Sequence, residues 1–298
     1  TTINSGDVTS VVHSGATTSF KVVSSPLYTF TSSATDIVIG SVTIPHANVA
    51  SVAVADVPTV YPNQLFLENV VGDTAINLAD ATLQSTIDTL RPNITLTEAL
   101  RVSAIEQSGT SGGDGVRQVL ANTLGALMDV GTNLLAAKDN VFLHEIRDTT
   151  TPNIVSATFN YSTGIMIVTA DETIDVTPSN QIVTNFIHVS DITGGNDVNI
   201  AAAAATAVDG VSFTLQLTDL NRVQSQLLSN VEGGNGGAVK IDFSSNTVQD
   251  IALNRNSHSF SITPTEASDT VKPLILSATI DYTYGFIVLK FSEIVQMN

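Results

Sequence analysis

Two stretches of this 298-residue chain are versions of one another. Asp148 to Glu172 reads DTTTPNIVSATFNYSTGIMIVTADE, and Asp269 to Glu293 reads DTVKPLILSATIDYTYGFIVLKFSE. Each landmark returns after 121 residues: Asp148 and Asp269, Pro152 and Pro273, Gly164 and Gly285, Glu172 and Glu293. Solenoid repeats run about 20–50 residues, so a period this long describes an array of independently folding domains. Each copy predicts an acidic, proline-containing linker, a strand, a turn at the glycine, a second strand and a closing glutamate.

From Leu96 onward the repeat needs no gap. Leu96, Thr97, Arg101 and Val102 match Leu217, Thr218, Arg222 and Val223, and Gly112, Gly113 and Gly115 match Gly233, Gly234 and Gly236. Asp129 and Asn133 match Asp250 and Asn254. Further back, NQLFLENV (63–70) resembles NQIVTNFIHV (180–189) more loosely. These boundaries divide the chain into a Ser/Thr-rich arm or tail of a preceding module (1–30), a first module with a divergent first half (31–147), a second module (148–268), and the first strands of a third, incomplete one (269–298). The opening TTINSG has no initiator methionine and no export signal, and the chain stops soon after a strand. Both ends predict a processed or partial piece of a longer polypeptide, or an expressed fragment of one.

Local patterning predicts an all-β fold, with one β-sandwich per module and room for one short helix in each. ATDIVIGSVTI (34–44), NVASVAVADV (48–57), VSFTLQL (211–217) and AVKIDF (238–243) alternate apolar with small or polar residues, the period-2 mark of strands. In the last of these, Val239, Ile241 and Phe243 point to a core while Lys240 and Asp242 face solvent. The segment 217–228 places Leu220, Val223, Leu227 and Leu228 roughly on one helical face, with Thr218 as its cap. The alanines at 201–205 fit a short helix or a strand.

The formal charge of −17 repels phosphate backbones and excludes nucleic acid as a partner. Such a surface suits divalent cations. No apolar run approaches the roughly 18 residues that span a bilayer, so no membrane insertion is expected. With 43% apolar residues the chain can bury sizeable cores. Cysteine is absent, which excludes disulfides, thiol catalysis and thiolate metal sites.

The order D-x-x-x-P, S-A-T-x-x-Y-x-x-G, a strand ending in Glu, L-T-x-x-x-R-V, a glycine-rich turn and D-x-x-x-N resembles the bacterial-type immunoglobulin-like repeat of large secreted surface proteins. Such repeats occur in surface-layer proteins, giant adhesins and algal flagellar-hair (mastigoneme-type) proteins. The resemblance spans about residues 60–298, most strongly from 96 onward, and departs from the family in the second copy, where Ile251-Ala252-Leu253 fills a D-x-x-x-N segment that more often contains glycine, as Val130-Gly131-Thr132 does in the first. It implies an Ig-like sandwich used as a building block at the cell surface or outside the cell, and no reaction. The expected role is an extracellular structural protein of a filament, hair or surface layer, self-assembling or packed against neighbouring subunits. The rival expectation is the stalk of an adhesin that binds glycan or protein ligands, and a viral fibre decoration would use the same fold.

The acidic residues around each linker are the candidate site: Asp129, Asn133, Asp148 and Glu172, then Asp250, Asn254, Asp269 and Glu293. Residues from the end of one domain, the linker and the start of the next can supply the oxygens that Ca²⁺ takes, and the surface arrays that this chain resembles can use that strategy. The same Asp and Asn positions equally fit turn-capping Asx hydrogen bonds. No enzyme is expected. The glycine turns SGTSGGDGVR (108–117) and EGGNGGAV (232–239) lack the Lys-Ser/Thr ending of a phosphate loop. Gly109-Thr110-Ser111-Gly112-Gly113 spells a nucleophile elbow without its strand-to-helix context, and the five histidines have no zinc spacing. Acidic pairs such as Asp171–Glu172 do not by themselves define a glycosidase site, and Lys240 faces solvent, away from any isopeptide partner. Asn93 and Asn160 head N-x-S/T sequons and would be glycosylated in a eukaryotic source.

Overall fold

The computed structural model of the chain describes residues 61–69, 75–84, 90–129, 131–192, 195, 197–206 and 208–297, together with the backbone of five strands before residue 45. Those five are β1 (Thr2–Ile3), β2 (Val8–Ser14), β3 (Thr17–Val22), β4 (Ile37–Ile39) and β5 (Val42–Ile44). β2 and β3 form an antiparallel hairpin, while β4 pairs with β1 in parallel and with β5 antiparallel. The alternating stretch 34–44 therefore does form strands. The matching expectation for 48–57 lies outside the described residues.

The next group comprises β6 (Leu65–Asn69), β7 (Ile76–Asn77), β8 (Thr82–Leu83), β9 (Ile94–Thr95), helix α1 (Glu98–Glu106), β10 (Gln118–Asn122) and β11 (Lys138–Phe142). Four of these strands make an antiparallel sheet in the order β11-β10-β6-β7. Leu65, Leu67, Ile76, Leu78, Ala81 and Ala126 are its buried cluster, and Leu96, Leu100 and Ala104 pack on it from the helix side.

The second group repeats this plan in full. It contains β12 (Ile154–Asn160), β13 (Ile165–Ile174), β14 (Ile187–Ser190), β15 (Val198–Asn199), β16 (Ala204–Ala205), β17 (Gly210–Gln216), α2 (Asp219–Leu227), β18 (Lys240–Phe243), β19 (Ser259–Ile262) and β20 (Thr265–Ala267). A five-stranded sheet, β16-β17-β13-β12-β20, faces a four-stranded one, β15-β14-β18-β19. Their inner faces share one core, in which Phe159, Met166, Phe213 and Leu215 from one sheet meet Ile187, Val189, Ile241 and Phe243 from the other, all at most 1% exposed. Burying each such side chain stabilises by about 1.5–3 kcal/mol. This is an all-β sandwich with one short helix, and the alanine run resolves as a turn followed by β16.

Pairing register shows how far back the repeat extends. Asn122 faces Leu65 in the first sheet, and its counterpart Phe243 faces Ile187 in the second. Asn77 Nδ2 donates to Asn63 O at 3.1 Å, and Asn199 Nδ2 to Asn185 O at 2.9 Å. The first group thus carries one extra residue between Asn77 and Leu96. Asn63 corresponds to Asn185, not to Asn180 as the looser sequence match placed it. Which residues face the core sets this register, and a one-residue slip would turn every apolar side chain outward.

Two further expectations are corrected. Asp242 does not face solvent: it is 2% exposed, because β19 bulges over it and Ser261 N donates to its Oδ1 at 2.6 Å. The apolar face expected for 217–228 is only half realised: Leu228 packs on the core and Val223 is half-buried, whereas Leu220 and Leu227 are more than half exposed and Asn221, Arg222 and Ser225 face inward. Asn221 donates to Asn199 O and Arg222 to Tyr161 O, so hydrogen bonds orient this helix.

The chain ends in a hairpin of β21 (Ile275–Asp281) and β22 (Phe286–Phe291), the repeat of β12 and β13. Ile287 and Leu289 are 61% and 44% exposed where their counterparts Met166 and Val168 are fully buried. Among the described residues, nothing equivalent to β17 or the facing sheet covers them.

Candidate interdomain joint

Each helix opens with L-T and an acid, and this local chemistry sets the site. Thr97 Oγ1 accepts from Leu100 N and Thr218 Oγ1 from Asn221 N, capping α1 and α2 at their first turns. Glu98 and Asp219 follow, where the positive end of the helix favours an acid. One turn on, Arg101 and Arg222 lie on the same face and close onto those acids.

The two arginines hold equivalent sets of acids 121 residues apart. Arg101 Nε and Nη2 hold both oxygens of Glu98 at 2.8 Å, Nη1 holds Asp148 Oδ2 at 2.6 Å, and Nη2 reaches Glu172 Oε2 at 2.9 Å. Arg222 holds Asp219 Oδ1 at 2.6 Å, Asp269 Oδ2 at 2.5 Å and Glu293 Oε2 at 3.2 Å. The acids also meet the next group's backbone: Thr173 N donates to Glu98 Oε1 at 2.8 Å and Ile294 N to Asp219 Oδ2 at 2.9 Å. Each arginine therefore ties its own helix, the linker aspartate and the C-terminal end of the following hairpin into one knot, Glu172 lying within its strand and Glu293 two residues past its own.

A second contact stands beside the first knot. Ser111 Oγ donates to Ala252 O at 2.9 Å. A Cβ on Gly112 would come within 1.9 Å of Ile251 O, so the glycine-rich turn lies directly on the 250–254 loop. Its neighbour Gly113 has a different reason to lack a side chain. A Cβ there, as at Gly234, would strike carbonyls at the end of its own helix. The first turn thus combines a fold-imposed glycine with an interface-imposed one.

The eight sequence candidates fall into unequal groups. Asp148, Glu172 and Asp250 come together, with a carboxylate oxygen of each inside a 4.8 Å circle. Asn254 stands beside them, but its amide donates to Asp250 Oδ2 and Asp148 O. Asp129 and Asn133 do not join. They close an exposed loop on themselves, Asn133 N and Nδ2 donating to Asp129, in the same Asx arrangement that Asp250 and Asn254 adopt. Asp269 and Glu293 meet at Arg222 beside Asp219, and among the described residues no counterpart of Asp250 joins them. The pairing thus differs from that drawn on the sequence: Asp250 joins the acids that open its own group, not those that follow it. Arg101, Arg222, Ser111 and Gly112 were missing from the candidate list. The arginines were visible in sequence as repeated landmarks inside L-T-x-x-x-R-V, the one strong basic position that the acidic boundaries share.

Electrostatics separate the acids. The guanidinium of Arg101 holds Glu98 down at about 2, opposed by its partial burial and aided by the Thr173 amide. Glu172 is raised to about 7, first by burial and then by the Asp250 charge, which outweigh the single bond from Arg101. Asp250 is raised by burial and by Asp148, against the Asn254 bonds that lower it. Asp129, bound to Asn133 in the open, is lowered.

Beside α1 an open groove of about 590 Å³ runs past Arg101, Glu145, Asp148 and Glu172. Its lining carries five acids, Glu98, Glu145, Asp148, Asp171 and Glu172, against the single arginine, a balance that disfavours anions. Asn93 and Asn160 are both exposed, and Asn160 caps the β12–β13 turn by accepting from Ser162 N and Thr163 N. Among the described residues, no helix is long and apolar enough to cross a membrane. Compared with known proteins, the chain matches no family model, no curated protein and no solved structure.

Proposed function

We propose that this chain is a building piece of an extended extracellular assembly, a filament, hair or surface layer, and that its work is mechanical. Sandwiches of the immunoglobulin-like kind are strung in tandem, and each is fixed against the next by an arginine bound to three carboxylates. The observation that carries this reading is the duplication of that knot at Arg101 and Arg222, with matching partners on helix, linker and strand. A linker that only had to be soluble would not need to place the same four charged positions twice. Arg222 is buried and Arg101 is about two-thirds buried, so each knot restricts bending more than a fully exposed surface pair, which is worth about 0–1 kcal/mol. The acidic surface keeps neighbouring rods hydrated and apart until specific contacts form.

Because cysteine is absent, spin labels can be placed cleanly. Labels on Thr123→Cys and Ser179→Cys, one on each side of the first joint, should give a narrow distance distribution that broadens at least twofold in Arg101→Ala. An equally narrow distribution in the variant would refute the joint. Electron microscopy of the concentrated chain should show filaments or lattices. Isolated particles that instead bind a glycan array would favour an adhesin stalk.

A further inference from the structure

We propose that the groove beside α1 seats the terminal hairpin, β21–β22, of a second copy of this chain, so that copies join head to tail. The proposal rests on the reading of the chain as a piece of an assembly and gives that assembly its contact between copies. The second unit displays such a seat filled. There β12 runs parallel to β20 with Phe159 opposite Glu266, and Tyr161 follows it into the core. Tyr161 donates through its hydroxyl to Glu266 Oε1 at 2.7 Å and through its N–H to Ala267 O at 3.0 Å. Its carbonyl accepts from Arg222 Nη1 at 2.9 Å.

The first unit carries the same receiving positions, since Glu145, Ile146 and Arg101 are the counterparts of Glu266, Ala267 and Arg222. Here no strand among the described residues pairs with 144–146, and the groove of about 590 Å³ opens onto Glu145 and Arg101. The Arg101 side chain is 31% exposed, against 7% for Arg222, which Tyr161 helps to cover. β9 shows the same gap: it pairs with β8 as the end of β17 pairs with β16, but among the described residues no strand lies where β13 flanks β17. The terminal hairpin is the matching piece. β21 and β22 repeat β12 and β13, and Tyr282 follows β21 as Tyr161 follows β12. Ile280, Tyr282 and Ile287 are exposed, while their counterparts Phe159, Tyr161 and Met166 are at most 1% exposed. Seated in the register of the second unit, Ile280 stands opposite Glu145, Ile287 opposite Ile94, and Tyr282 reaches Glu145 and Arg101. Main-chain pairing at open strand edges gives affinity, and an anchoring side chain gives specificity. Hairpin and groove are different surfaces, so the contact is heterologous and extends into an open chain of copies.

In such a contact Thr149 and Thr283 meet as Thr270 and Ser162 do in the second unit, where the two hydroxyl oxygens are 3.2 Å apart and cysteines would be in disulfide reach. Thr149→Cys and a mass-tagged Thr283→Cys, made as separate full chains, are mixed and mildly oxidised. Heterodimer should form at least tenfold faster than when Ser179→Cys, exposed and outside the groove lining, replaces Thr149→Cys. Adding Tyr282→Ala or Ile287→Asp to the Thr283→Cys chain should slow it at least fivefold. Neither side chain is buried in its own copy, so circular dichroism of each variant should stay unchanged. A rate equal to the control, or one that neither hairpin variant lowers, overturns the proposal. So does a chain carrying both cysteines that closes only on itself as a monomer, because the occupant is then its own hairpin. The contact and the assembly fail separately. Filaments in electron micrographs without this cross-link keep the assembly and refute the contact, whereas a specific cross-link without filaments or lattices keeps the contact and refutes the assembly.

Discussion

Gly112 and Gly233 form a matched pair inside one molecule. They are repeat equivalents with almost the same backbone, φ of +85° and +89°. An alanine at either position accepts a left-handed conformation that costs about 1–2 kcal/mol. At Gly233 the new methyl meets only Gln226 Nε2, at 3.3 Å, the end of a flexible side chain. At Gly112 it would sit 1.9 Å from Ile251 O and 2.8 Å from Ala252 Cα, both backbone. Restoring ordinary contact of about 3.4 Å or more requires the 250–254 loop to retreat by roughly 1.5 Å. That breaks the bond from Ser111 Oγ to Ala252 O, worth about 1 kcal/mol, and loosens the packing around it. Gly112→Ala should therefore cost about 1–2 kcal/mol more than Gly233→Ala in urea unfolding followed by circular dichroism. It should also broaden the spin-label distances across the first joint, whereas Gly233→Ala leaves them narrow. Equal costs for the two variants, with unchanged distances in both, would refute the argument that Gly112 is a glycine because another domain lies against it.

Two further consequences follow from the same packing. Glu172 is raised from 4.5 to about 7 in the folded chain, so between these values the folded state binds more protons than the unfolded one. Stability should fall as pH rises across that window, by an amount on the order of 3 kcal/mol at most. Glu98, lowered to about 2, acts in the opposite sense: its contribution is present above pH 4.5 and lost as pH falls through 2. Urea midpoints from pH 2 to 8 read both limbs, and a stability that rises steadily from pH 4.5 to 7 would contradict the placement of Glu172. Tyr161 is fully buried and donates to Glu266 Oε1 at 2.7 Å, whereas its repeat equivalent Tyr282 is 87% exposed. Tyr161→Phe should cost about 1–2 kcal/mol and Tyr282→Phe next to nothing, as the same urea series would show.

Much of the architecture was legible in the sequence because it rests on local periodicity. The strands 211–217 and 238–243 appear where alternation placed them, and Thr218 caps a helix as its position at the head of the segment 217–228 implied. Alternation fixes which face a residue points to, but not what covers that face. Asp242 points away from the core as expected and is buried all the same, under a bulge of a strand 17 residues later in the chain. The face of α2 misled for a related reason. Its leucines mark an apolar stripe, but the bonds of Asn221 and Arg222 to distant carbonyls turn Leu220 and Leu227 outward.

By itself the sequence determined that the chain is a repeat of β-rich units with acidic, proline-containing boundaries, since identical residues at a fixed spacing need no coordinates to be seen. It also displayed every member of the joint, including Arg101 and Arg222. Only the tertiary structure decided which of them meet. Asp129 and Asp250 are equivalent in sequence and adopt the same loop, yet one stands in solvent and the other completes an acidic cluster with Asp148 and Glu172. The difference lies in what surrounds each loop, and contacts between residues 78 and 102 positions apart, such as Glu172 to Asp250 and Asp148 to Asp250, are made by folding and not by spacing.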